Sequence, residues 1–556
     1  MRRRIDYRVG LSATALLLVA CSMPAPHVPV LENRQGGRTF YLSPDGADKD
    51  DGRTPQTAWR TLRRADAVRL KPGDRLLLKG GARFPGTLSI GPGDAGNARS
   101  PVVIDSYGAG RAVITAEGTR GIEVYNTSGI VIRNLVLAGN GTSYRSQDGI
   151  GIVSDLPGKR KLPYVRVTGV DVSGFRNGIR LHGGREGSGF RDVVIDDCAV
   201  HGNRDAGLVS DGPAFHPGAP VYAHEQVKVS KVAAFRNDGD PKASGHNTGS
   251  GIVLGSVRGG VVEGSDAHDN GASSSPDAME GPEGIWTYDS TRIVLQRNVA
   301  HDNHTGSRAD GGGFDLDNNV SYSLMQYNLS YGNDGAGFLA FSAVPNKAHT
   351  DNTIRYNISR DNARKLQDYG GIVLIGSRIS NLAIYQNTVL ARANGTVRAP
   401  ALRLRPHLGA VSVRNNVFVT DGSPVVVAQD AFGTSQVEMQ GNDYHSPRSL
   451  SLQWGESWYS ELAAWRNATG QETQGPRATG TSADPCLADV PPPANGPGPH
   501  GSGPARGALA SQCAQALAGA AVDLRTVGID PGPVDYFGRP LSGSPGLGAV
   551  QVAPKA

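Results

Sequence analysis

Two short segments hold the residues best suited to chemistry in this 556-residue chain: Gly284-Ile-Trp-Thr-Tyr288 and Gly313-Phe-Asp-Leu-Asp317. Read as strands, their side chains alternate between two faces, so Trp286 and Tyr288 point one way and Asp315 and Asp317 do the same. The two Asp Cα atoms are then about 6.5–7 Å apart. Carboxyls this close raise each other's proton affinity, so one can act as a general acid while the other stays charged as a base. Acid pairs that invert at a sugar's anomeric carbon stand about 6.5–9.5 Å apart, and retaining pairs about 5–5.5 Å, so this pair falls in the inverting range. Glu283, Asp310, Asp289 and Asp334 are near enough in sequence to add a further carboxylate. Two other readings stand beside catalysis: paired Asp residues can ligate a structural Ca²⁺, and Asp is common at turns for its geometry alone.

Six segments share this Gly-led pattern, opening at Gly178, Gly251, Gly284, Gly313, Gly337 and Gly371. The first and third residues after Gly are apolar in all but the Gly284 segment, where the third is Thr287, and they read as core. The second and fourth then face outward, in the order Arg180/His182, Val253/Gly255, Trp286/Tyr288, Asp315/Asp317, Leu339/Phe341 and Val373/Ile375, and Arg403/Arg405 follow the same alternation. Aromatics beside acids and guanidiniums suit a sugar, whose C–H faces stack on rings and whose hydroxyls bond planar charged groups. Trp286, Tyr288, His182, Arg180, Phe341, Arg403 and Arg405 are therefore candidate substrate-binding residues. Asp238 and Asp240, with Lys242 beside them, are the alternative place for a metal-assisted reaction, so Ca²⁺ stays open as a cofactor.

The element that positions these residues is a repeat. Strand-like units open near Ile130, Val165, Val193, Val227, Val261, Ile293, Leu324, Ile354, Leu382 and Val411, at steps of roughly 28–35 residues. Such a period marks a solenoid, whose units bury their apolar faces only by stacking. The strands are short and rich in Val and Ile, so the solenoid is β. Asn recurs in two series, Asn203, Asn237, Asn270, Asn303, Asn333, Asn362 and Asn298, Asn328, Asn357, Asn387, Asn416. Asn tolerates left-handed backbone, and stacked amides about 4.8 Å apart can form ladders.

Three passages make the chain resemble the right-handed parallel β-helix proteins of the pectate-lyase-like group. They are Phe40-Tyr-Leu-Ser-Pro-Asp-Gly46 with Ala58-Trp-Arg-Thr-Leu62, the run from Gly311 to Phe338, and the strand-Asn-strand rhythm. The resemblance covers about 40–550 and implies an all-β, single-stranded right-handed parallel β-helix of about ten or eleven turns, acting on or binding a polysaccharide or oligosaccharide. It departs at one point: pectate lyases with this opening carry a Lys after a Gly-Phe or Gly-Ile pair, and here those places hold Val253, Trp286, Asp315 and Leu339. Hydrolysis by the Asp pair is therefore favoured over elimination. A Ca²⁺-dependent lyase, with Arg180 and His182 or Arg403 and Arg405 in its site, and a non-catalytic glycan-binding protein remain the alternatives.

The ends add a location. Residues 1–20 combine Arg2-Arg-Arg4 with a short apolar stretch and read as an export signal. Leu18-Val-Ala-Cys21 resembles a lipobox, which implies acylation of Cys21 and a cell-envelope protein, outer-membrane or periplasmic, touching the membrane through its lipid alone. Residues 21–37 would be a tether, 38–125 a cap and first turns, 126–450 the β-helix, and 451–556 a helix, a Gly/Pro-rich excursion and a terminal return strand. An amphipathic helix with Trp59, Leu62, Ala65 and Val68 on one face caps the first turn, and Trp458–Ala468 is a second helical stretch. Four cysteines are too few for a disulfide framework, though Cys486 and Cys513 can pair across the excursion, and Cys198 reads as a buried apolar residue. A formal charge of +5, spread without a basic block beyond the signal, gives no nucleic-acid footprint. The chain reads as a monomer.

Overall fold

Each turn of the chain gives one strand to each of three parallel sheets. Two sheets have 14 strands and the third has 13, so the coil has about 13 turns. This computed structural model describes residues 37–116, 118–141, 147–343, 348–489, 508–513, 517, 519–541 and 546–551. The expected export signal, Cys21 and nearly all of the tether lie outside the described residues.

All ten repeat openers lie in the first sheet. Ile130 faces Val165, Val165 faces Val193, and Leu382 faces Val411. The alignment slips at three openers: Val227 faces Gly260 and not Val261, Leu324 faces Val294 and not Ile293, and Ile354 faces Met325 and Ile384 and not Leu324 and Leu382. A Cβ on Gly260 would stand 3.0 Å from Ile293 Cδ1, so this glycine takes the inward place and makes room for the turn above. The turn count exceeds the sequence estimate because Thr39–Leu42, Arg75–Lys79, Val102–Tyr107 and Val437–Gln440 join the same sheet without being counted as repeat openers.

Inside the coil, Val, Ile and Leu form the bulk of the core, with Phe84, Phe175, Phe190, Phe314, Phe338 and Phe418 fully buried among them. Both Asn series are ladders. In one, the Nδ2 of Asn203, Asn237, Asn270, Asn303 and Asn333 each donates to the next Asn Oδ1, ending at Asn362. In the other, Asn298 through Asn416 do the same and the series gains Asn442. That second ladder ends on Glu472, whose buried carboxylate accepts from Asn442 Nδ2 at 2.8 Å, Tyr444 Oη at 2.7 Å and Gly441 N at 2.6 Å. The ladder Asn residues are not themselves left-handed. Positive φ falls one place earlier, at Gly202, Arg236, Asp269, Asp302, Gly332 and Asp361 in the first series. The amide, which bonds the turns on both sides, is what the position requires.

The ends differ from the sequence reading. The N-terminal helix is one short piece, Leu62–Asp66, capped by Thr61 Oγ1 accepting from Arg64 N at 3.2 Å, while Trp59 joins the core from the segment before it. The second helix is Leu462–Thr469, and it starts late because Ser457–Tyr459 is a strand antiparallel to Leu452–Trp454. The closing segment makes no return strand in its described part. A 3-10 turn, Leu524–Val527, and one isolated bridge between Val534 and Pro540 are its regular structure. Pro531, Pro533 and Pro540 remove the amides a strand would use. It is held as a strap instead: Val534 O accepts from Tyr327 Oη at 3.1 Å, and Ala549 N donates to Thr388 Oγ1 at 2.9 Å. Cys486 and Cys513 form a disulfide with Cα atoms 5.5 Å apart, and Cys198 is buried and free.

Removing one rung of a ladder should loosen the coil locally. Asn328→Ala deletes the donors to Asn357 Oδ1 and Leu295 O and the acceptor of Asn298 N. A cost of about 2–4 kcal/mol is expected from the groups left unpaired. Hydrogen exchange should show faster exchange at the Asn298 amide with little change at Asn203. Equal change at both amides, or none at either, would contradict a locally acting ladder.

Candidate active site

The Gly-led strands all lie in the second sheet, and their register builds the outward face. One column runs Arg180, Val209, Val253, Trp286, Asp315, Leu339, Val373, Arg403. The inward partners Ile252, Leu254, Phe314, Leu316, Ile372 and Leu374 are fully buried, as alternation requires. The outward column is also largely covered, which alternation does not show. Asp315 is 4% exposed, Trp286 8% and Arg403 7%. The loops that enter the second sheet lie over it.

Four carboxyls gather here. Asp315 and Asp317 come from the strand Phe314–Leu316 and its end, Glu283 from the loop before Ile285–Tyr288, and Asp310 from the loop before Phe314. Asp310 is held firmly: its Oδ2 accepts from Gly281 N at 2.7 Å, its Oδ1 accepts from Tyr369 Oη at 3.0 Å, and its own N donates to that Tyr oxygen at 2.9 Å. Asp317 Oδ1 accepts from Asn318 N at 2.5 Å. Glu283 is different. Neither of its oxygens, nor Asp315 Oδ1, has a hydrogen bond of ordinary geometry among the described residues. The Glu283 carboxyl lies over Gly312, where a Cβ would stand 2.6 Å from Oε2, so the glycine makes space for the acid. His349, buried in the next turn, donates from Nε2 to Leu316 O at 2.8 Å and fixes the strand between the two Asp residues; burial lowers its pKa to about 4, so it stays neutral.

Every member of the cluster holds its proton more tightly than a free acid. For Glu283 the cause is burial, then the charges of Asp310 and Asp317, with the Gly312 amide opposing. For Asp315 it is burial, then Asp317, Glu283 and Asp310. Asp317 is raised by burial first and by Asp310, Glu280 and Asp289, but its bond from Asn318 N favours the charged form. Burial raises Asp310 to about 6 against the bonds from Gly281 and Tyr369. Asp289, also raised by burial, accepts from Asn319 Nδ2 at 2.6 Å. Asp334 stays apart, accepting from Thr305 N at 3.2 Å.

The aromatics lie one turn away. Trp286 packs with Val253 and Ala206 and donates from Nε1 to Ser250 Oγ at 3.1 Å, so it is part of the floor more than an open platform. Tyr288 is tilted against it with ring centroids 5.3 Å apart and leans over Gly255, where any Cβ would meet its ring. Phe341 packs against a patch of Leu339, Val373 and Tyr369. Arg180 and His182 lie four turns from Asp315, both bound to Asp211, with the Arg180 Nε bond at 2.8 Å. Asp211 is held ionised: burial opposes the charge, but His182 and Arg180 outweigh it. Arg403 and Arg405 lie three turns to the other side.

Two of these partners were not read from the sequence. Asp211 closes Gly207-Leu-Val-Ser-Asp211, a copy of the Gly-led pattern that the alternation could have revealed. Tyr369, 59 positions from Asp310, sits in a loop with no period and carried no signal. Asp238 and Asp240 do not gather a ligand set: Asp240 lies 3.4 Å from Arg204 Nη1. Among the described residues, no group of three or more His, Cys, Asp or Glu is arranged to hold a metal ion.

A family model described as right handed beta helix region matches residues 244–398, which span the whole carboxyl cluster. The fold is a right-handed parallel β-helix. A lacto-N-biosidase from Bifidobacterium longum subsp. longum is 28% identical over 130 residues, a match that spans 20% of this chain and 8% of that protein. The crystal structure of a GH136 lacto-N-biosidase from Eubacterium ramulus, as its selenomethionine derivative, is 18% identical, covers 70% of this chain and 68% of that one, and superposes with a TM-score of 0.50. The pectate lyase Pel9A is 17% identical over 74% of this chain and 80% of its own, with a TM-score of 0.37. At these identities the structural likenesses are of fold.

The cluster makes a sign-definite prediction for stability. The folded β-helix keeps protons on acids that the unfolded chain releases near pH 3.8, so stability contributed below that pH is lost as pH rises, through about 6 for Asp310. Asp310→Asn should remove on the order of 3 kcal/mol of this loss. In thermal unfolding at pH 4 and pH 7, the variant's Tm should therefore fall less than that of the parent protein. An equal or larger fall in the variant would contradict the burial of a protonated Asp310.

Proposed function

We propose that the outer face of the second sheet binds a glycan and that the carboxyl cluster hydrolyses a glycosidic bond in it. The observation that carries this reading is the state of Asp315 and Glu283. Both are buried and hold their protons tightly, and three of their oxygens have no hydrogen bond of ordinary geometry among the described residues. Burial at such a cost is usual where acids must stay protonated to work. The similarity to two lacto-N-biosidases, in sequence for one and in fold for the other, supports the class of substrate.

The roles follow from the hydrogen bonds. Asp317 receives a backbone N–H and keeps some open surface, so it is the better carrier of negative charge. Asp315, next to Trp286 in the sheet, is the better acid. Asp315 gives its proton to the glycosidic oxygen as the bond to the anomeric carbon breaks. Asp317 takes a proton from the water that attacks that carbon, which leaves one new reducing end and one alcohol. Once Glu283 is ionised, its charge further raises the proton affinity of Asp315, after burial and Asp317. In the same reading the protein is exported and held in the cell envelope through Cys21, and the Cys486–Cys513 disulfide agrees with an oxidising compartment.

The test is a panel of neutral and acidic oligosaccharides and polysaccharides, scored for new reducing ends and for the ultraviolet absorbance of unsaturated sugars. Reducing ends without absorbance are expected. Asp315→Asn and Asp317→Asn should each lower kcat by about 10²–10⁴. Glu283→Gln should cost less and move the alkaline limb of the pH profile to lower pH. Absorbance appearing with the reducing ends would replace hydrolysis by elimination, and full activity in both Asp variants would remove the site assignment.

A further inference from the structure

Arg403 and Arg405 stand out among the charged groups of this face. Both belong to the strand Leu402–Leu404 and its end, in the outward alternation that carries Asp315. Three turns separate Arg403 from Asp315, about 14 Å along the coil. Elsewhere on the outer surface Arg180 has Asp211 and Arg414 has Glu438. This pair has none within ion-pair distance among the described residues. Arg403 Nε donates to Tyr369 O at 3.4 Å and Nη2 to Gln367 O at 3.1 Å, while Arg405 Nη2 donates to Asp368 O at 3.4 Å. All of these acceptors are neutral carbonyls of one loop. Arg405 Nε is buried and has no hydrogen-bond acceptor among the described residues.

Two like charges, one of them covered, are costly to hold without an anion. Burial and the neighbouring Arg405 both work against the charge on Arg403, and the exposed Asp368 offsets this in part. The planar guanidinium fork matches a carboxylate or a sulfate with two parallel bonds. Between this pair and the acids, Leu339 and Val373 are buried beneath Tyr369, and the half-buried Phe341 and Ile375 beside them are the apolar groups a sugar ring can reach. One residue joins the two ends: Tyr369 bonds Asp310 with its hydroxyl and Arg403 with its carbonyl.

We infer that Arg403 and Arg405 form a subsite for an anionic substituent, a carboxylate or sulfate, on a glycan lying along the second sheet toward the carboxyl cluster. The inference rests on the glycan-binding half of the proposed function and not on hydrolysis. Calorimetric titration of the full chain carrying Asp315→Asn tests it without turnover. The ligands are oligogalacturonate, its carboxyl-reduced counterpart and a sulfated glycan. An acidic ligand should bind about tenfold or more tighter than the reduced one, and Arg405→Gln should abolish that difference. Arg405→Lys should restore part of it, which guards against a misfolded variant. Whether the uronate or the sulfated chain binds tighter identifies the anion. Equal binding of acidic and reduced ligands, no binding of any acidic ligand, or acidic binding unchanged in Arg405→Gln would overturn the subsite. Charge-dependent binding by a protein that cleaves nothing would leave the subsite standing and remove hydrolysis. Cleavage with no charge preference would do the reverse.

Discussion

Everything on the outer surface depends on register between turns, and register here is enforced by side-chain amides. A parallel strand pair leaves its slip to apolar matching alone, and a slip of one residue exchanges the inner and outer faces. Each ladder Asn after the first removes that freedom, because its Oδ1 accepts both the backbone N–H and the Nδ2 of the preceding Asn. A displaced turn would leave several buried donors unpaired at once. Glu472 matters for the same reason. The last Asn of a ladder would have a free amide, and a buried carboxylate with several donors around it ends the series.

With register fixed, residues distant in sequence become neighbours in a column. Asp315 meets Trp286 below and Leu339 above because each lies one turn away, at about 4.8 Å. The same regularity explains how four acids can be packed together. Repulsion among them would open a flexible loop, but the coil under Asp315 is closed by Phe314 and Phe338, stacked with centroids 5.3 Å apart. The scaffold resists the strain, and the acids relieve it by keeping protons instead of moving apart.

Much of this was legible in the sequence because it is periodic. Strand openers, both Asn series and the inward and outward faces of the Gly-led strands follow from spacing and alternation, while the Cys486–Cys513 pair is open in the sequence and formed in the structure. What was not legible is aperiodic. The cover over the outward column comes from loops of unequal length, so Trp286 read as an open platform and is 8% exposed. Tyr369 reaches Asp310 through a loop whose path no repeat describes. The left-handed residue before each ladder Asn varies among Gly, Arg, Asp, Tyr, Gln and Asn, so composition pointed to the wrong position. The closing segment reads as a return strand from the family resemblance alone, and its prolines remove the amides such a strand would use.

The division between periodic core and aperiodic loops also separates stability from chemistry. Inward residues are repeated Val, Ile, Leu and Phe, and any turn could replace its neighbour without changing the principle of packing. Outward residues are not repeated. They run from a neutralised Arg180–Asp211 pair, through aromatics and protonated acids, across an apolar stretch, to two unneutralised guanidiniums. Such a gradient along one axis has no structural purpose in a coil whose turns are otherwise alike. It suits an elongated ligand that lies along the same axis, meets a different group at each turn, and is oriented by charge at one end. The loop that carries Tyr369 touches both the acids and the guanidiniums, through the Tyr369 hydroxyl at Asp310 and the Tyr369 carbonyl at Arg403.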